Sequence, residues 1–77
     1  LDHYIFSARQ EIDYLNEEYG LQIPLGDYET LGGYVIDLLG EIPTEGNKVN
    51  DDEWEYTITK VDKVKVLEIE MKKREEE

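Results

Sequence analysis

The sequence contains no cysteine, two prolines and a single histidine, and these shortages each remove a class of chemistry. Without cysteine there is no disulfide staple, no thiol nucleophile and no cysteine-ligated zinc. His3 alone cannot assemble a histidine metal cluster, and Ser7 has only that one imidazole in the chain to serve as its base. The sequence therefore reads as non-enzymatic. No apolar run approaches the roughly 18 residues that cross a bilayer, and no charged, apolar and small-residue succession marks a signal peptide, so the piece itself reads as soluble.

Bases are scarce as well. Twenty acids against eight bases give a net charge of −12, and residues 1 to 45 hold ten acids and one base, Arg9. A field of that sign repels phosphate backbones and anionic headgroups, which excludes nucleic acid and direct membrane insertion as partners. At 77 residues the chain is read as one domain, residues 1–77, near the size at which a single core supplies little net stability. It begins at Leu1 instead of Met, and is read as a piece of something longer. Association offsets a small core, so a homodimer is expected, favoured further if Tyr34 or Ile36 leaves an apolar patch on the far side of the second helix.

What is present is local pattern. Tyr4, Ile5 and Phe6 form a β-prone run. In the following segment QEIDYLNEEYG, Ile12, Leu15 and Tyr19 fall at helical spacing, with Gly20 placed to end the helix in a left-handed residue. Pro24, Gly26 and Asp27 are connector chemistry. A second helix is predicted over Thr30 to Leu39, with Thr30 as its cap, Leu31, Val35, Leu38 and Leu39 on one stripe, and Gly40 as terminator. A very short strand near Val49 precedes an alternating strand at Trp54, Tyr56 and Ile58. A turn near Val61, Asp62 and Lys63 leads into a last strand from Val64 to Met71, whose apolar parity shifts between Val66 and Leu67 and predicts a bulge or a two-sided burial there. KKREEE is expected to fray, as is the end carrying His3. Trp54 and the six tyrosines are read as core aromatics with their polar ends at its edge. Two helices can bury their stripes only against the strands, which predicts an α+β two-layer sandwich on a small, mainly antiparallel sheet.

Two glycines, Gly32 and Gly33, open the second helix at a cost of about 1 kcal/mol each relative to alanine. One reading is an anion cradle of exposed helix amides, with Thr30, Gly32 and Gly33 as the binding residues. The other is close backbone packing where a Cβ would clash. The acids Asp27 and Glu29 upstream, and the absence of any Lys or Arg between Arg9 and Lys48, favour the second. The run Asp51, Asp52 and Glu53 offers carboxylates to a hard cation, but no EF-hand spacing accompanies it, and a solvated turn is the simpler reading.

The segment YETLGGYVIDLLGEIPTEG resembles the signature of the transporter-associated domain of CorC/HlyC-type proteins. The matching positions are Tyr28, Thr30, Leu31, Gly32, Gly33, Val35, Leu39, Gly40, Ile42, Pro43 and Gly46. The spacing continues through Val49, the aromatic strand at Trp54 to Ile58 and the strand at Val64 to Ile69; upstream, EIDYLNEEYGLQIP is similar to the family's leading helix and its Pro. Ser7, Ala8 and Arg9 depart from the Asp-Gly or Gly-Arg turn usual after the first strand, and the acidic tail lies beyond the motif.

The resemblance implies a C-terminal regulatory or assembly module of hemolysin-like membrane proteins linked to magnesium and cobalt efflux, on the cytoplasmic side, with a pair of CBS domains and a transmembrane domain of the same chain as partners. It also implies a fold similar to one lobe of the flavin-binding PCMH-like superfamily. No cofactor is expected. Direct binding of a divalent cation or of flavin adenine dinucleotide stands as the alternative.

Overall fold

The computed structural model describes residues 2–74. The alternating apolar residues of the sequence become a four-stranded sheet. Its strands are β1 (His3–Ser7), β2 (Lys48–Asn50), β3 (Trp54–Asp62) and β4 (Lys65–Lys73), all paired antiparallel in the order β1-β4-β3-β2. Helices α1 (Ile12–Tyr19) and α2 (Leu31–Leu39) come between β1 and β2 in the chain.

Antiparallel register places same-face residues opposite one another. Tyr4, Met71, Tyr56 and Val49 form one row across all four strands, and Phe6, Ile69 and Ile58 form the next. These rows meet Ile12 and Leu15 of α1, Leu31, Tyr34 and Val35 of α2, and Leu21 and Ile23 of the connector. The two helices and the sheet share one core, and the α+β two-layer sandwich is the fold.

Local signals set the helix ends. Gly20 and Gly40 both take left-handed φ and return their N–H groups to the carbonyls of Asn16 and Ile36. Thr30 caps α2, its hydroxyl accepting from the Gly33 N–H at 3.1 Å. Asn16 closes the connector: its side chain donates to the Ile23 carbonyl and accepts from the Ile23 N–H, while the Trp54 indole N–H donates to the Leu21 carbonyl. Those bonds hold an irregular segment tightly enough to bury Leu21 and Ile23.

Several expectations require correction. Val64 lies in the two-residue turn between β3 and β4 and not in the last strand, because β3 runs on to Asp62 and pairs it with Lys65. The predicted irregularity is present, as a register shift around Lys60 opposite Glu68, which lets both Val66 and Ile69 face inward. Lys72 and Lys73 belong to β4 instead of a frayed tail, and the Arg74 N–H donates to the Glu53 carbonyl; Glu75–Glu77 lie outside the described residues. His3 is the first residue of β1, its ring against the Glu70 carboxylate, and is not frayed. Tyr19 is half-exposed at the end of the helical stripe, packing edge-on against Tyr4. Tyr34 is 4% exposed and contributes nothing to an outer patch, whereas Ile36 remains at the surface.

Candidate functional site

The entrance to α2 is the junction of the molecule. The backbone before α1 and the backbone before α2 run antiparallel, with the Ile12 N–H donating to the Glu29 carbonyl and the Leu31 N–H to the Gln10 carbonyl, both at 2.9 Å. The Gly32 N–H donates to the carbonyl of Ala8, one residue beyond β1. A Cβ on Gly32 would stand 2.9 Å from the Ala8 Cβ and 3.1 Å from its carbonyl oxygen, so the missing side chain lets helix and chain touch. Gly33 differs: its Cβ would meet Tyr28 and Thr30 of its own lead-in at 3.2 and 3.4 Å. Close packing across the two layers therefore explains Gly32, while Gly33 accommodates the local turn.

This arrangement uses the donors that an anion would need. Of the orphan amides at a helix start, Leu31 is bonded to Gln10, Gly32 to Ala8 and Gly33 to the Thr30 hydroxyl. Beside them lies a shallow groove floored by Gly32, Ile36, Val64 and Val66, with Arg9 and Lys65 at its rim.

The acidic run is placed differently from a cation site. Asp51 turns inward. One carboxylate oxygen accepts the backbone N–H groups of Glu53 and Trp54 at 2.9 and 2.8 Å, and the other accepts the hydroxyls of Tyr34 and Tyr56 at 2.7 and 2.8 Å. Burial pushes the Asp51 carboxyl up, but those four hydrogen bonds outweigh it and hold the group below the ordinary aspartate value. Burial, and then donation to Asp51, pushes both tyrosine hydroxyls well up. Asp52 and Glu53 are exposed, and Glu53 pairs with Lys73 at 3.0 Å. Among the described residues, no group of three His, Asp or Glu side chains is arranged to hold a metal ion.

Sequence reasoning thus singles out Asp51 but not its partners. Its local signal is an Asp three residues ahead of a strand-opening Trp, a turn in which the side chain accepts from the following amides. Nothing local announces Tyr34, which is 17 residues away.

No protein of curated function matches the chain. Solved structures do. A hemolysin domain from Enterococcus faecalis V583 is 26% identical with a TM-score of 0.84, covering 96% of this chain and 90% of that one. A region associated with the Mg2+ and Co2+ transporter CorC from Neisseria meningitidis MC58 is 25% identical at TM-score 0.83, covering 95% and 90%. The transporter-associated domain of a CBS domain protein from Porphyromonas gingivalis shares the fold at 20% identity and TM-score 0.83, covering 96% and 91%. Among the described residues, no helix is long and apolar enough to cross a membrane. The model of the transporter-associated domain family CorC_HlyC matches residues 1–75, and with the two-glycine helix entrance, the αL caps and the four-stranded sheet in place, the chain belongs to that family.

Proposed function

We propose that residues 1–77 form one regulatory docking domain of a longer membrane protein that exports magnesium or cobalt. It works on the cytoplasmic side, through contacts with the CBS and transmembrane domains of its own chain or with a second copy. Family membership and the likeness to a CorC-associated region and to a domain of a CBS protein support this reading. The structural observation that carries it is the closed entrance of α2. Its first three amides are engaged within the fold, while Ile36 and Val64 stay at the surface beside them. A surface of that kind suits packing against protein better than holding a small charged ligand.

The alternative ligands draw on groups the fold already uses. A flavin pyrophosphate at Thr30, Gly32 and Gly33 competes with the Ala8 and Thr30 acceptors, and a cation at Asp51, Asp52 and Glu53 competes with two tyrosines and Lys73. The test is removal of the domain from the parent protein, followed by magnesium and cobalt efflux assays at several internal magnesium levels. Altered dependence on internal magnesium, with efflux itself retained, is the expected result. Efflux and magnesium response both unchanged would remove the regulatory role.

A further inference from the structure

Three features of α2 and its surroundings point to one partner. The groove at the helix's amino-terminal end has an apolar floor, with Val64 64% and Ile36 37% exposed. Its rim carries Arg9 and Lys65, both exposed and neither in an ion pair among the described residues, in a chain with twenty acids. At the other end of the same helix, just past the Gly40 cap, Ile42 stands 70% exposed between Glu41 and Glu45. The groove has an apolar floor with two cations in its lining, and the loop is an apolar knob next to the exposed Glu41, while Glu45 accepts the Val61 N–H at 3.2 Å.

We propose that this groove receives the Glu41–Glu45 loop of a second copy of the chain, with Ile42 seated over Ile36 and Val64 and the Glu41 carboxylate beside Arg9 and Lys65. The inference deepens the docking reading above and rests on it for its biological meaning. The groove runs from the first turn of α2 to Ile36, and the knob lies beyond the helix's last residue, so the two are offset along one helix axis. An antiparallel meeting of α2 with its copy therefore brings each knob to the other's groove, a closed two-fold pairing. Helix electrostatics favour the same orientation. α2 has no acid in its first turn and no base in its last, and Asp37 and Glu41 sit at its negative end. Antiparallel pairing carries those acids toward the positive end of the partner helix. The long-range repulsion between two chains of charge −12 is screened beyond about 8 Å at physiological salt, whereas contact pairs at the rim are not.

Sedimentation equilibrium of the 77-residue chain near physiological salt is the test. A concentration-dependent dimer is expected, with Ile42→Glu and Arg9→Glu each raising its Kd by about tenfold or more. Adding Glu41→Arg to Arg9→Glu is expected to recover much of the loss. Lys48→Glu, the same charge change on the uncovered sheet face, is the control and should leave the dimer intact. All four positions are solvent-exposed, and circular dichroism checks that each variant is folded. A chain that stays monomeric up to about 1 mM overturns the proposal, as does a dimer indifferent to Ile42→Glu or equally weakened by Lys48→Glu. A monomer that still alters efflux when deleted from the parent would leave the regulatory reading standing and remove only this one.

Discussion

A methyl group added at Gly32 meets the Cβ and the backbone carbonyl of Ala8, and one added at Gly33 meets only side-chain atoms of Tyr28 and Thr30. The Ala8 carbonyl cannot retreat from Gly32 without breaking its 2.9 Å hydrogen bond to the Gly32 N–H, so overpacking there costs about 1–3 kcal/mol, against about 1 kcal/mol gained in helix propensity. At Gly33 the contacts are 3.2 and 3.4 Å, and a shift of a few tenths of an ångström by Tyr28 relieves them. Gly32→Ala is therefore expected to lower stability by up to about 2 kcal/mol, and Gly33→Ala, relieved of its contacts, to leave it unchanged or raise it by up to about 1 kcal/mol. Urea denaturation of the two variants measures the contrast. Equal losses at both positions would mean that the glycines serve a common purpose, contrary to the geometry described.

At the level of elements, Asp51 joins α2 to β3 by accepting from Tyr34 on the helix and Tyr56 on the strand, and it nucleates the turn that starts β3. The pH dependence of that joint has a definite sign. The Asp51 pKa is depressed in the folded state, so its contribution is present above the unfolded value near 4 and disappears as pH falls through the folded value. The Tyr34 and Tyr56 pKa values are raised, so their contribution is complete below about pH 10 and is lost as pH climbs above it. Asp51→Asn is expected to flatten the acid limb of the stability profile and Tyr56→Phe the alkaline limb, each lowering the neutral plateau by about 1–3 kcal/mol. Urea midpoints near pH 3, 7 and 10.5 test both signs, and a Tyr56→Phe profile parallel to that of the parent chain at high pH counts against the joint.

The same elements show how far the sequence can be read. The caps at Thr30, Gly20 and Gly40, the helical stripes and the alternation at Trp54–Ile58 are decided by neighbours within a few residues, so they are legible in one dimension. The β3–β4 turn is not. It sets Lys63 at φ +61°, a conformation that usually advertises itself with Gly or Asn, and Val64 looks like strand. Helical periodicity allows Tyr34 an outer face because it cannot tell a surface tyrosine from one whose hydroxyl finds an aspartate across the fold. The family resemblance identifies the two-glycine entrance, but the division of labour between Gly32 and Gly33 depends on where Ala8 comes to lie.

For the molecule as a whole, the governing fact is charge with little compensation. Twenty acids face eight bases, and the contacts between charged side chains among the described residues include Lys60–Glu68 and Lys73–Glu53, beside the His3–Glu70 hydrogen bond. All three involve at least one substantially exposed partner, so each contributes little and screening removes little with it. Repulsion among unpaired carboxylates acts over the full 32 Å length of the molecule and outweighs those attractions at low salt, where the Debye length reaches about 30 Å. Sodium chloride raised from about 10 mM to about 200 mM is therefore expected to increase the melting temperature, steeply at first and then levelling as the Debye length falls below the spacing between neighbouring acids. Differential scanning calorimetry at fixed protein concentration reads this directly. A melting temperature that falls with salt would assign the stability of the fold to its ion pairs, and would also weaken the case that Arg9 and Lys65 are left free for a partner's acids.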